Sequence, residues 1–112
     1  MITIQECNNY QMDSIDIDRT TQSIKAMSHP LRLKILCTLK DQEVSVNDIV
    51  RNVGTTQSNI SQHLSILHDK GILESRKESN HVYYKICDHR TMHLIGMIQQ
   101  VYCNNNIPAY AQ

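Results

Sequence analysis

Cysteines at positions 7, 37, 87 and 103 are the most reactive residues of this chain. No two stand in a CxxC or CxC spacing, which excludes a zinc ribbon and a thioredoxin-type dithiol. Thiols so far apart in a reducing compartment are ordinarily inert packing residues, unless the fold brings two of them together. His89 and His93 come next, because at i and i+4 on a helix they share a face and can share a metal. No acid–base pair or nucleophile spacing supports turnover, so an enzyme is not expected.

Base recognition is the other chemistry that the residue types allow. Residues 45–71 read as two short helices joined by a tight turn at Val53-Gly54. In the second, Ile60, Leu64 and Leu67 recur at i, i+4 and i+7 as a buried stripe. Gln57, Ser58, Ser61, Gln62 and Ser65 fill the remainder with short neutral hydrogen-bonding groups. A helix that only faces water usually carries Glu and Lys, which pair along its surface. Small donors and acceptors instead let a helix lie close against base edges in a major groove. A Ser- and Gln-rich solvated helix is the plainer alternative, and the segment C-terminal to it weighs against that alternative.

This segment holds two strand-like runs, residues 72–77 and 82–87, separated by the turn-forming Glu78-Ser79-Asn80. Val82, Tyr84 and Ile86 alternate inward, with Tyr83 and Lys85 outward. A two-stranded ribbon is unstable alone and must lean on helices. Its tip carries Arg76, Lys77 and His81, suited to phosphates or an adjacent minor groove. A helix-turn-helix followed by a basic hairpin is a winged helix, so the expected class is mainly α with a β-hairpin wing.

The elements that must position these residues fit one domain. The chain has 112 residues, enough for one modest core. With no Trp and no Phe, that core must be aliphatic, with Met and Tyr as its bulky members. No apolar run approaches the roughly 20 residues that a membrane span requires, and no signal-peptide core is evident, so a cytoplasmic location is expected. Net charge is zero. Its distribution is uneven: residues 1–19 hold Glu6, Asp13, Asp16 and Asp18 against one base, and residues 70–85 hold Lys70, Arg76, Lys77 and Lys85 against Glu74 and Glu78. A small basic region beside the reading helix suffices if two copies act together.

Residues 1–14 are expected to form a tail containing Cys7, residues 15–104 the domain, and residues 105–112 a second tail. A first helix over about 15–27 places Ile17, Ile24 and Met27 on one face. Ser28 can cap a second helix, with Pro30 in its first turn. That helix runs to about residue 40, burying Leu31, Ile35, Leu36 and Leu39 and turning Arg32 and Lys34 outward. Ser45 and Asp48 resemble a capping box. Thr55 or Thr56 caps the reading helix, and Gly71 ends it in a left-handed conformation. Asp88 caps a last helix through about Cys103, on which Leu94, Ile95, Met97, Ile98, Val101 and Tyr102 cover most of the circumference. Such a helix must bury both sides, and the economical partner is a second copy packed across a two-fold axis through the first and last helices.

KAMSHPLRLKILCTL, SVNDIVRNVGTTQSNISQHLSILHDKGILESRK and HVYYKI resemble the second helix, reading motif and wing of the ArsR/SmtB family of dimeric winged-helix repressors. The match spans about residues 15–103. It implies a homodimer with two reading helices in successive major grooves of an inverted-repeat operator, about 34 Å apart. It places Thr56, Gln57, Ser58, Ser61, Gln62 and His63 on the DNA-reading helix and Arg76, Lys77 and His81 on the wing.

The resemblance also bears on what is sensed. Many relatives bind metal through a CxC in the helix that here begins at Ser45, but Ser45-Val46-Asn47 stand there. Others hold zinc through Asp and His on the last helix. Here Asp88, His89 and His93 lie in that region, and Gln99, Gln100 and Cys103 stand where a second His pair is expected. A metal or metalloid sensor is therefore the alternative, and no metal site or cofactor is expected. The contexts ILC at Cys37 and VYC at Cys103 instead resemble the persulfide- and redox-sensing branch, the BigR-, SqrR- and HlyU-like repressors. That likeness implies that the two thiols face each other within one protomer and are joined by reactive sulfur or an oxidant as effector. Cys7 and Cys87 are read as bystanders.

Overall fold

The computed structural model describes residues 12–103, so Cys7 and most of both expected tails lie outside the described residues. In chain order the elements are α1 (Ser14–Met27), α2 (Pro30–Leu39), β1 (Val44–Ser45), α3 (Val46–Val53), α4 (Gln57–Asp69), β2 (Leu73–Glu78), β3 (His81–Ile86) and α5 (His89–Tyr102). This is a winged helix-turn-helix, with α3 and α4 as the helix pair and β2–β3 as the wing.

Local chemistry sets the helix ends. Asp13 opens α1 by accepting from the Asp16 N–H at 2.8 Å. The cap of α2 is His29 and not Ser28: its Nδ1 accepts from the Leu31 N–H at 3.1 Å. Pro30 occupies the first helical position, so the residue before it becomes the cap, and Ser28 instead closes α1. Ser45 accepts from the Asp48 N–H at 3.2 Å. Only that half of the capping box forms, since the Asp48 carboxylate pairs with Arg51 at 3.4 Å. Gly54, at φ 83°, makes the left-handed turn out of α3. Thr56 caps α4 through the Asn59 N–H at 3.2 Å, and Thr55 takes the Asn59 side-chain amide. At the far end of α4 the Gly71 N–H donates to His68 and the Ile72 N–H to Leu67, both at 3.0 Å. With Gly71 at φ 74° and both Leu67 and Ile72 buried, this is a complete Schellman closure.

The core is aliphatic. Ile35, Leu36 and Leu39 of α2 meet Ile49 and Val53 of α3, Ile60, Leu64 and Leu67 of α4, and Ile72, Leu73, Ile86 and Ile95. Each such side chain contributes about 1.5–3 kcal/mol on leaving water. Leu31 is only partly buried. Lys34 is exposed as expected, whereas Arg32 is half-buried, and both reach backbone: Arg32 Nε donates to the Ala26 carbonyl at 2.5 Å and Lys34 Nζ to the Val53 carbonyl at 3.0 Å. Carbonyls at the ends of α1 and α3 lack helical partners, and these long cations reach them.

The sheet has three strands in the order β1-β3-β2, not the two expected. Val44 and Ser45 pair antiparallel with Tyr84 and Tyr83, pinning the wing to the start of α3. β2 and β3 pair from Leu73↔Ile86 to Glu78↔His81 around a two-residue turn, where Ser79 takes φ 55°. Ile86 is buried and Val82 and Tyr84 are half-buried, as expected for the inward face; Tyr83 is half-buried as well.

The two outer helices depart most from a one-chain core. Ala26 is the only buried residue of α1, and Ile17 and Ile24 stay 51% and 54% exposed. On α5, Ile95 is buried and Ile98 packs on the core, while Leu94, Met97 and Val101 remain 44–47% exposed. The bare sides of α1 and α5 share a largely apolar cleft lined by Met12, Ile24, Met27 and Leu94. Large apolar patches of this kind mark an interface. Among the described residues, no helix is long and apolar enough to cross a membrane.

Candidate nucleic-acid interface and thiol pair

The stripe of Ile60, Leu64 and Leu67 anchors α4 in the core and turns Gln57, Ser58, Ser61, Gln62 and Ser65 to the exterior, all exposed. None carries a charge. Thr56 is exposed too, with its hydroxyl engaged as the helix cap. Gln57 and Ser61 share a polar hollow with the cap Ser45, with Asn47 of α3 and with Asn80 and His81 of the wing. The fold thus brings the reading helix and the wing tip to the rim of one concavity.

His63 faces another way. It is half-buried against α2, its ring centroid 4.4 Å from that of His29 and its Nδ1 3.3 Å from Arg32 Nη1. A guanidinium can only donate, so Nδ1 accepts and the proton of the neutral ring sits on Nε2. Burial, then the charges of His29 and Arg32, hold this imidazole below its ordinary value.

Arg76 is not free at the wing either. Its Nε and Nη2 lie 2.8 and 2.7 Å from Glu43 Oε1, its Nη1 lies 2.7 Å from Glu78 Oε2, and its guanidinium stacks 4.6 Å from the Tyr83 ring centre. The Glu43 bond, then the Glu78 bond, raise the Arg76 pKa, and the bond from Arg76 lowers that of Glu43. On the same sheet face Lys85 pairs with Glu74 at 3.1 Å. Lys77 and His81 are exposed, and neither makes an ion pair among the described residues. No local signal in the sequence marks Glu43 as the partner of a residue so far along the chain.

The thiols are distributed unequally. Cys37 sits half-buried on α2 against the core, and Cys103 is exposed at the end of α5, the helix that packs on α2. Burial pushes the Cys37 thiol up, the nearby Cys103 raises it further, and Lys40 opposes both. Cys87, after β3, is exposed; partial burial, Glu74 and Asp88 push it up against Lys85.

His89 and His93 line one hollow on α5, while Asp88 is engaged elsewhere. The Asp88 carboxylate caps α5 and chelates Arg90 at 2.6–3.1 Å, which draws its pKa down to about 2. His89 is exposed and 3.8 Å from that carboxylate. Among the described residues no three His, Cys, Asp or Glu side chains are grouped as metal ligands.

Residues 29–75 match the family described as "Bacterial regulatory protein, arsR family". The chain is 36% identical over 83 residues to the transcriptional activator HlyU of Vibrio cholerae, covering 74% of this chain and 77% of that one. It is 31% identical over 80 residues to the biofilm growth-associated repressor of Xylella fastidiosa, covering 71% and 70%. In three dimensions it is similar to HlyU from Vibrio cholerae, with a TM-score of 0.78 and 32% identity over 83% of this chain and 100% of that one. It is also similar to a homodimeric winged helix-turn-helix DNA-binding domain from Mycobacterium bovis, with a TM-score of 0.71 and 28% identity over 80% and 84%.

Proposed function

The chain belongs to the arsR family of bacterial regulatory proteins, and from that premise we propose that it is a homodimeric repressor whose grip on its operator is switched by sulfur chemistry at Cys37 and Cys103. Members of this family are DNA-binding transcriptional regulators and not enzymes. Gln57, Ser58, Ser61 and Gln62 read base edges beside the cap Thr56, and Lys77 and His81 of the wing contact phosphates or the adjoining minor groove. A second copy covers the bare faces of α1 and α5 and sets two reading helices about 34 Å apart on an inverted repeat.

The observation that supports the switch is the packing of α5, which ends beside Cys103, on α2, which carries Cys37. The exposed Cys103 thiolate attacks the outer sulfur of a persulfide RSSH, taking that sulfur and expelling RS⁻. The Cys37 thiolate then attacks the Cys103 sulfur and expels HS⁻, leaving a disulfide. Two thiols are oxidised and the transferred sulfur is reduced to sulfide; a polysulfide donor leaves a longer bridge by the same two displacements. A bridge fixes the spacing of α2 and α5. If that spacing suits the DNA-free dimer better, operator affinity falls by the difference, and 1–3 kcal/mol corresponds to about 5–150-fold.

The test compares the wild type with Cys37→Ser and Cys103→Ser after anaerobic polysulfide treatment, reading intact mass and duplex binding. The wild type should gain an internal bridge and lose affinity; each serine variant should keep its affinity. Loss of affinity in both serine variants would reject the pair as the switch.

A further inference from the structure

Every expected DNA contact on α4 faces outward except His63, which the fold turns onto the cysteine-bearing helix. Arg32 is held at two ends. Its Nε binds the Ala26 carbonyl at the close of α1, and its Nη1 reaches the His63 ring. His29 lies 4.4 Å from the same ring and caps α2 through its own Nδ1. One cluster thus ties the end of α1, the start of α2 and the middle of α4. The aliphatic contacts between α2 and α4 are nondirectional and tolerate sliding, whereas a hydrogen bond into a ring nitrogen fixes rotation about the helix axis.

We propose that Arg32 and His63 form the joint that sets the angle of the reading helix on α2, which makes His63 a positioning residue and not a reader of bases. The inference rests on the DNA-reading role given to α4 above. A ring that accepts from Arg32 must be neutral, and a protonated one would face Arg32 and His29 as like charges. Those two are the titratable or charged groups that act on it; among the described residues, α1, α3 and β2 place no hydrogen-bonding or ion-pairing side chain on the ring. Because the joint favours the neutral form, its contribution is complete above the ordinary imidazole value and is lost as pH falls below it.

The experiment uses the full chain and a duplex that the wild type enriches from a random pool, with each single-pair variant of that duplex. His63→Ala should weaken binding to all of these duplexes by the same factor, about tenfold, leaving the sequence preference intact. His63→Asn keeps an acceptor near the Nδ1 position and should stay within about twofold of wild type at pH 7.5, with a flatter acid limb between pH 7 and 5. Arg32→Gln should match His63→Ala, and the double variant should be no worse than either alone. Should His63→Ala fail to fold, Arg32→Gln against His63→Asn decides on the same criteria. Relaxed preference at one base pair in His63→Ala would make it a base reader and overturn the proposal. Wild-type behaviour in Arg32→Gln, or additive losses in the double variant, would overturn it too. Failure of the wild type to enrich any duplex would instead reject the DNA-reading function itself.

Discussion

The reading helix and the wing border one concave face, yet they treat charge in opposite ways. α4 presents exposed glutamines and serines that carry no charge and, among the described residues, have no side-chain partner to leave. The wing carries several charges, and on one face its cations are already paired: Arg76 with Glu78 and with Glu43 just before β1, and Lys85 with Glu74. A base edge that meets α4 displaces only water. A phosphate that seeks Arg76 must first displace two carboxylates, one of which then remains nearby as a repulsive charge. Recognition on this molecule is therefore expected to lie mainly in the helix, with phosphate attraction at the wing held back by its own acids.

The contrast breaks most severely when the support of the reading helix is removed. Leu64→Ala deletes a fully buried anchor of α4 and should cost about 2–5 kcal/mol in urea unfolding. Gln62→Ala acts on the exposed face alone and should lose about 1–3 kcal/mol of discrimination at one base pair, with an unchanged dependence on salt. If its effect is instead uniform across sequences and shifts with salt, α4 is a phosphate-contacting helix and the contrast fails. Thr56→Ala removes the cap of α4 and should lower stability by about 1 kcal/mol by thermal melting.

The smallest change tests the wing. Glu43→Gln keeps a hydrogen-bond acceptor for Arg76 but deletes the charge. Duplex binding should tighten by a few fold near 0.1 M salt, and the salt slope should steepen by about one per protomer as a phosphate replaces the carboxylate. Weaker binding with an unchanged slope would make Arg76 a brace for the wing, and the internal competition would be wrong.

Features set by neighbours in sequence are legible from the residues alone. Gly54 and Gly71 take the left-handed turns their positions demand, and Thr56, Asp88 and Ser45 cap the helices they precede. One local error, Ser28 for His29, comes from treating imidazole as a bystander when its Nδ1 reaches the backbone two residues on. What stays hidden joins residues far apart in the chain. Arg76 reads as a free base because Glu43, across the sheet, makes no local pattern with it. The contact of His63 with Arg32 is hidden likewise, because the helix period alone does not reveal that Arg32 lies beneath it. The short β1 is masked by Ser45, whose capping role is the stronger signal in so short a strand. Ile17 and Ile24 read only as an apolar face, because periodicity reports that a face is apolar, not which molecule covers it.

The most direct test of the switch places both readouts on one sample. Wild-type dimer is treated anaerobically with polysulfide until intact mass shows a single intramolecular bridge, confirmed by peptide mapping between Cys37 and Cys103. Its affinity for the selected duplex is then measured before and after reduction. The expected result is a loss of about 5–150-fold that reduction reverses. A mapped Cys37–Cys103 bridge with undiminished affinity would contradict it.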